Sequence, residues 1–380
     1  MQFLFKSLLI VSFAALQTAT QAQQHVLKIG HVAPLTGPIA HLGKDNENAA
    51  RLAIEEINAK GLIIGGQPIQ LELVAEDDAS DPKKAVTVAR KLVDAKVVGV
   101  IGHLNSGTTL LASPIYSDAG IPQISPSSTN PTYTRQGYKT AFRVVADDVQ
   151  LGVILGRYAV KHLKVKSIAI VDDRSAYGQG VAQEFEKAVK VTGGNLVGHE
   201  YTNDRTTDYS QLIKTLKAKK PELVFIGGMD AVGGPLIKQL KAQGVGSKFM
   251  GGDGICTTEL FKLSGATIAD GEVFCAEAGG VDGALKKGMD EFAAKYKKRF
   301  NQDIKLYAPY AYDAVNVMVD AMQRAKSTEP NKYLPELAKT AGYGGVSGMI
   351  SFDPKGDIKF GAFTLYTYKG GQREIIGVLR

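Results

Sequence analysis

The sequence predicts an α/β protein with two similar lobes, each built on a doubly wound parallel sheet with helices on both faces. Strand and helix patterns alternate along almost the whole chain, and the alternation restarts near residue 150. The length of 380 residues suits two domains, and the 42 glycines agree with a chain that turns often. Hydrophobic residues make up 44%, as in globular proteins with large cores.

The first lobe opens with a strand at 26–32 and a helix at 46–60. From Ala50 to Ile57 the apolar residues of this helix recur at i, i+3, i+4 and i+7, which forms one buried stripe. Gly61 follows as a residue that can take the left-handed conformation and end the helix. The other predicted elements are a strand starting at 69, a helix opened by Pro82, a buried strand at 96–102 and a short strand at 121–124.

The second lobe repeats this rhythm. Its strands are predicted at 167–171, 222–226 and 248–250, with helices at 180–191 and around 236–240. Two helices near 285–299 and 310–325 come next. A β-rich tail at 350–352 and 363–368 ends the chain.

The N-terminus has the pattern of a signal peptide. Lys6 supplies the positive charge, residues 7–16 form a short apolar run, and residues 20–22 offer small side chains to a signal peptidase. The run is about half the ~20 residues that a membrane span needs. We therefore expect residues 1–22 to be removed after Ala22 and the mature protein to reach the periplasm.

The basic balance of the chain does not indicate a nucleic-acid partner. The formal net charge is +7, but the lysines lie on predicted helix faces, as at 217–220 and 297–299, without a basic tail or interleaved aromatic residues. The six histidines are scattered and lack metal-ligand spacing. We predict no metal and no cofactor.

The chain has two cysteines, Cys256 and Cys275. Because an exported protein meets an oxidising compartment, a disulfide between them is favoured. Two buried free thiols are the alternative, since sequence alone does not show that their Cα atoms lie close enough.

Polar loops follow four of the predicted strands, at 103–109, 125–129, 172–178 and 251–254. In parallel sheets, ligands bind beyond the carboxyl ends of the strands. Hydroxyls and free N–H groups at a helix start suit an anion, and a nearby carboxylate suits a cation. A site with both suits an α-amino acid. Each element also has an ordinary structural interpretation, in which the hydroxyls are helix caps and Asp253 is a turn residue.

These loops resemble those of the periplasmic leucine/isoleucine/valine-binding protein family, which has the type I periplasmic binding protein fold. The resemblance covers essentially the whole mature chain. It is carried by an ordered set of segments, which are 35–38 (LTGP), 77–86 (DDASDPKKAV), 101–104 (IGHL) with Ser106, 124–126 (ISP) with Thr129, 177–180 (YGQG), 249–251 (FMG) and 253–254 (DG).

The resemblance implies two lobes that close over a ligand and are joined by a three-segment hinge. One lobe comprises 23–146 and 277–351, and the other comprises 147–276 and 352–380. By family position, Ser106 and Thr129 hold the ligand's carboxylate side, and Ser127 offers its backbone carbonyl to the ammonium. Asp253 pairs with the ammonium, and Tyr177 contributes from the second lobe.

The chain departs from the best-known members at several of these positions. Leu42 and Met229 stand where those members carry aromatic contacts, so we expect them to form an altered side-chain pocket. Asp253 is one methylene shorter than the usual glutamate. The cysteine pair of those members is replaced by Ser80 and Asn105.

We expect a monomeric, non-catalytic binding protein that passes a small apolar amino acid to the permease subunits of an ABC importer. A hydrolase is disfavoured because Ser106 does not lie in a Gly-x-Ser-x-Gly turn. A sensor-associated binding protein would share this fold and pocket. The same fold could also take a non-amino-acid such as an aromatic acid or an amide, although an acidic residue at 253 argues against a monoanion.

The leader predicts the N-terminus of the mature protein. Mass spectrometry of the periplasmic protein should find a chain that starts at Gln23 or within one or two residues of it. A full-length product retained in the membrane would contradict this prediction.

Overall fold

The computed structural model describes residues 25–359 and 361–379. The predicted signal peptide, residues 1–22, lies outside these residues. The strands are, in chain order, β1 (His25–Ala33), β2 (Leu62–Ile64), β3 (Gln67–Asp77), β4 (Gly99–Gly102), β5 (Gln123–Ser125), β6 (Ala141–Arg143), β7 (Ile168–Asp172), β8 (Leu196–Tyr201), β9 (Leu223–Gly227), β10 (Lys248–Gly251), β11 (Val273–Ala278), β12 (Tyr343–Gly344), β13 (Met349–Ile350), β14 (Phe363–Lys369) and β15 (Gln372–Leu379).

The helices alternate with these strands. They are α1 (Ala40–Lys60), α2 (Pro82–Asp94), α3 (Ser106–Asp118), α4 (Thr132–Arg135), α5 (Asp148–Arg157), α6 (Ala176–Thr192), α7 (Ser210–Lys219), α8 (Asp230–Ala242), α9 (Leu260–Leu263), α10 (Lys286–Phe300), α11 (Ala308–Ala325) and α12 (Pro330–Ala338). Among the described residues, none of the helices combines the length and the apolar character that crossing a membrane requires.

Two separate sheets confirm the predicted two-lobed α/β fold. The first has the order β2-β3-β1-β4-β5-β6 and is parallel except for β2. The second has the order β15-β14-β11-β10-β9-β7-β8, and its first two strands are antiparallel additions. Every residue of β4, β7 and β9 is buried, as expected for parallel strands covered by helices on both faces.

The first two helices show how local sequence sets the element ends. Helix α1 begins at Ala40, six residues before the predicted start, and ends as predicted at Gly61, which has φ 77°. The side chain of Asp81 accepts hydrogen bonds from the backbone N–H groups of Lys83 and Lys84, so it caps α2. Pro82 occupies the first turn of α2, where a missing N–H costs nothing.

The chain passes between the lobes at the ends of β6 and β11 and again before β14. Helix α5 packs against α6 of the second lobe, whereas α11 packs against α1 of the first. Strand β11 ends at Ala278, two residues past the expected boundary at 276/277. The boundaries at 146/147, 276/277 and 351/352 remain predictions.

The structure contains the predicted disulfide between Cys256 and Cys275. Their Cα atoms lie 5.3 Å apart and both residues are fully buried. Cys256 follows the short helical turn Asp253–Ile255, and Cys275 lies in β11. The disulfide therefore ties the turn that carries Asp253 to the second sheet.

We expect reduction of this disulfide to destabilise the protein. Its 19-residue separation gives about 3 kcal/mol in the chain-entropy model, which lowers the melting temperature of a lobe of this size by roughly 6–12 °C. Thermal unfolding with and without reductant measures the shift. A Cys256→Ala/Cys275→Ala variant is the control and should not respond to reductant, whereas two alkylated thiols in unreduced native protein would contradict the prediction.

Candidate functional site

A small cavity lies between the lobes, beyond the carboxyl ends of β4, β5, β7 and β9. It has an empty volume of about 200 Å³. Because parallel strands of each sheet end at one edge, the loops that follow them converge there. The cavity is lined by Leu104, Asn105, Ser106, Ser127, Tyr177, Met229 and Tyr307.

Ser106 lies on the cavity wall as the first residue of α3 and is buried. Asn105 is the N-cap residue of α3, but its side chain forms no capping hydrogen bond. The N–H groups at the start of this 13-residue helix are therefore not covered by a cap, and the helix dipole adds positive potential there. This end of the cavity suits an anion such as a carboxylate.

The loop after β5 is held to the loop after β4 by hydroxyl groups. Ser125 donates a hydrogen bond to the carbonyl of His103 over 2.9 Å, and Ser127 donates one to the carbonyl of Leu104 over 3.0 Å. The hydroxyl of Thr129 is buried and lies near the carboxylate of Asp148, whose charged form it favours, although the two do not form a hydrogen bond of ordinary length and angle. The loop therefore places the Thr129 hydroxyl in the interior beside Asp148.

His103 supports the loop after β4 through two buried contacts. Its Nδ1 lies 2.8 Å from Oδ2 of Asp78, and its Nε2 lies 3.1 Å from the hydroxyl of Tyr116. All three side chains are buried. Both ring nitrogens are thus engaged away from Ser106, and His103 is not placed to act as its base.

Asp253 is buried between two tyrosines that come from different lobes. Tyr177 donates to its Oδ1 over 2.9 Å, and Tyr307 donates to its Oδ2 over 2.7 Å. The backbone N–H of Gly254 in turn donates to the hydroxyl of Tyr177 over 2.9 Å. Asp253 lies behind the two cavity-lining tyrosines, and each of its oxygens retains a second lone pair to accept another donor.

Burial raises the pKa of Asp253 to about 6, although the hydrogen bonds from Tyr307 and Tyr177 oppose the shift. The carboxylate is ionised at neutral pH at a cost in free energy. A cation brought within hydrogen-bonding distance would recover part of that cost.

Asp148 is a second buried carboxylate beside this site. It is the first residue of α5 and is completely buried. Among the described residues, neither of its carboxylate oxygens forms a hydrogen bond of ordinary length and angle. Its backbone N–H donates to the carbonyl of Thr129 over 2.9 Å. Burial raises the pKa of Asp148 well above its usual range, with the Thr129 hydroxyl opposing the shift and the charge of Asp253 adding to it.

Apolar atoms form another part of the cavity wall. Leu104 is fully enclosed, and Met229 is half-buried at the start of α8. Tyr307 contributes its ring, since its hydroxyl is bound to Asp253. The cavity therefore joins an anion-binding helix start and buried carboxylates to an apolar section.

Comparisons with known proteins show which family has this architecture. The model of the periplasmic binding protein family matches residues 26–372. The chain belongs to this family. Its sequence is 35% identical over 344 residues to a Leu/Ile/Val-binding protein homolog 1 of Brucella abortus, covering 90% of each chain.

Two further relatives also match more than nine tenths of the chain. A leucine-, isoleucine-, valine-, threonine- and alanine-binding protein of Pseudomonas aeruginosa is 34% identical, with 96% of this chain and 95% of that protein covered. A branched-chain amino acid transporter substrate-binding protein of Streptococcus pneumoniae, solved with isoleucine, is 27% identical. It has a TM-score of 0.84, with 93% of this chain and 99% of that chain covered.

The structure brings together most of the predicted site residues of this periplasmic binding protein. Ser106, Ser127, Tyr177 and Met229 share the cavity wall. Thr129 and Asp253 lie buried outside that wall. Leu42 is completely buried in the main hydrophobic core and does not line this cavity.

Sequence reasoning missed Asp148 and Tyr307. A signal for Asp148 was present, because two consecutive aspartates start α5 and one is enough to cap a helix. Asp147 is that cap, since it accepts from the N–H of Gln150 over 3.1 Å. Tyr307 had no comparable signal, because it lies between two helices of the first lobe and reaches Asp253 only through the tertiary fold.

Asp148→Asn should stabilise the ligand-free protein at pH 7.5 by a few degrees. Because the pKa of Asp148 is raised on folding, the folded state holds its proton more tightly. The stability that depends on this group therefore falls as pH rises through the raised pKa. Removing the charge abolishes that loss, so the gain should shrink as the pH is lowered and disappear near the ordinary pKa of 3.8. Thermal unfolding at several pH values measures this.

The neighbouring variant Asp147→Ala is the matched control. It removes a helix cap, which should lower stability by about 0.5–2 kcal/mol, and with it the ion pair between Asp147 and Arg135. A loss of stability at pH 7.5 in Asp148→Asn, similar to that of the control, would show that Asp148 is itself a structural anchor.

Proposed function

We propose that this chain is a periplasmic substrate-binding protein that captures a small amino acid with an apolar side chain for an ABC importer. The observation that carries the proposal is an uncapped helix start on the wall of a cavity that has the buried carboxylate of Asp253 directly behind two of its lining tyrosines, with Asp148 near Asp253. A zwitterion supplies a negative group for the helix start and a positive group for the carboxylates. Relatives whose names specify leucine, isoleucine and valine support this ligand class.

The ligand's carboxylate would lie at the start of α3. Ser106 supplies a hydroxyl and a backbone N–H there, and the helix dipole favours the negative charge. Thr129 adds a buried hydroxyl, which also lies near the carboxylate of Asp148. Asn130 holds this arrangement by donating its backbone N–H to the hydroxyl of Ser106 over 3.3 Å.

The ligand's ammonium would face Ser127, Asp148 and Asp253. The backbone carbonyl of Ser127 can accept a hydrogen bond, and the two carboxylates provide the charge. A cation entering this enclosed region reduces the repulsion between the carboxylates. An anion without an ammonium group would increase it. The arrangement therefore selects a zwitterion over a simple carboxylic acid.

The ligand's side chain would contact Met229, Leu104 and the ring of Tyr307. A flexible methionine adapts to aliphatic shapes, and a charged side chain would be left unpaired against these atoms. Leu42 would support this region from the core.

The proposal assigns the protein no catalysis. Ser106 contacts the hydroxyl of Ser128 and the N–H of Asn130, and the nearby His103 is paired with Asp78 and Tyr116. Binding would instead shift the lobes toward a closed form that the permease subunits recognise. We propose that the protein acts as a monomer after removal of its leader.

Calorimetric titration of the mature protein with amino acids tests this function. Leucine, isoleucine, valine or phenylalanine should bind more tightly than glutamate or lysine, because a charged side chain would be desolvated without a partner. Asp253→Asn should weaken leucine binding at least ~30-fold, since losing one member of a buried charged pair costs about 2–5 kcal/mol.

The control ligand is 4-methylpentanoate, which is leucine without its ammonium group. Asp253→Asn should not weaken its binding, because the variant removes only the partner of the missing group. A charged amino acid that binds best would refute the proposed pocket. Leucine affinity within threefold of the parent in Asp253→Asn would place the ammonium elsewhere.

A further inference from the structure

We propose that His41 and Asp230 form an interlobe clasp that helps to set the ligand affinity although neither residue lines the cavity. The inference rests on the proposed function, because it concerns the closed form that holds the ligand. His41 lies in the first turn of α1 in the first lobe, and Asp230 is the first residue of α8 in the second lobe.

The pair has the geometry of a direct hydrogen bond. Nε2 of His41 lies 2.8 Å from Oδ2 of Asp230. The hydroxyl of Thr257 donates to the same oxygen over 2.7 Å. Asp230 is completely buried, and its Oδ1 has no hydrogen-bond partner among the described residues. The free-energy cost of burying a carboxylate with so few partners rises strongly when any one of them is lost.

A second ion pair crosses between the lobes nearby. Nζ of Lys305 lies 2.6 Å from Oε1 of Glu259. Asp45, one turn beyond His41 on α1, fixes the Lys305 segment by accepting its backbone N–H over 3.0 Å. The charged groups that face His41 from the packed elements are thus Asp230, Glu259 and Lys305. Lys305 and Glu259 are each about one quarter exposed, so solvent screens their attraction more than that of the buried Asp230.

The clasp adjoins the proposed side-chain pocket on the second lobe and the core that supports it on the first. Asp230 directly follows Met229, which lines the cavity. His41 directly precedes Leu42, a residue of α1 that packs in the core. Closing the clasp therefore fixes the positions of the residues around the ligand's side chain without contacting the ligand.

Closure changes the proton affinity of His41. Burial disfavours its charged form, but the hydrogen bond to Asp230 and its charge outweigh burial and raise the pKa of His41 above the ordinary value of 6.5. When the lobes separate, His41 loses this partner. The closed form therefore holds a proton that the open form releases. The affinity for the ligand should be highest at pH values below the ordinary pKa of 6.5, and it should fall as pH rises through the raised pKa.

The test measures the dissociation constant of leucine by calorimetry from pH 6.5 to 8.5. In the parent protein the constant should rise with pH. His41→Gln should raise it at pH 6.5 by roughly fivefold or more, the lower end of typical coupling between sites, and should flatten the rise with pH. Combining His41→Gln with Asp230→Asn should cost less than the product of the two single effects, because both remove the same contact.

His199→Gln is the matched control. His199 contacts Asp172 over 2.7 Å and Glu186 over 2.9 Å, so it also has a raised pKa, but all three residues lie in the second lobe. This variant should keep the parent's pH dependence of leucine binding.

The outcomes separate the clasp from the proposed function. If the parent binds leucine but His41→Gln changes its affinity less than twofold at every pH, the clasp is overturned and the function stands. The clasp also fails if His199→Gln flattens the pH dependence equally. If the parent binds none of the amino acids tested, both proposals are overturned.

Discussion

The structure depends on the burial of negative charge between two lobes. Asp253 is enclosed because Tyr177 and Tyr307 reach it from opposite lobes, and each satisfies one carboxylate oxygen. Asp148 is buried close by without such partners. Neither group gains much from this enclosure by itself, since desolvation raises the pKa of both. In the proposed function, the ammonium group of the ligand would offset this cost.

The scaffold makes this arrangement possible by separating rigid support from contact groups. Parallel strands end at common edges, and the loops beyond them carry the polar groups. The loop after β4 is held by the buried contacts of His103 with Asp78 and Tyr116. On the second lobe, the disulfide between Cys256 and Cys275 ties the turn after Asp253 to β11. The polar groups of the loops are thereby held in position by residues that do not line the cavity.

Several polar contacts join the two lobes. The side-chain amide of Asn130 donates to the carbonyl of Ala176 over 2.7 Å, and His41 and Lys305 pair with acidic residues of the second lobe. Polar contacts of this kind can exchange with water when the lobes part, whereas a large apolar interface would hold them together.

The sequence alone determined the two-lobed α/β fold and placed Ser106, Ser127, Tyr177 and Asp253 in loops that meet. Hydrophobic periodicity sets the elements, and parallel topology brings the loops after the strands to one edge. Only the tertiary structure decided that Tyr307 shares Asp253 across the cleft, that Asp148 is buried without a complete hydrogen bond, and that Leu42 belongs to the core. These facts depend on how distant segments pack and on which groups lose contact with water, and neither is encoded in local spacing.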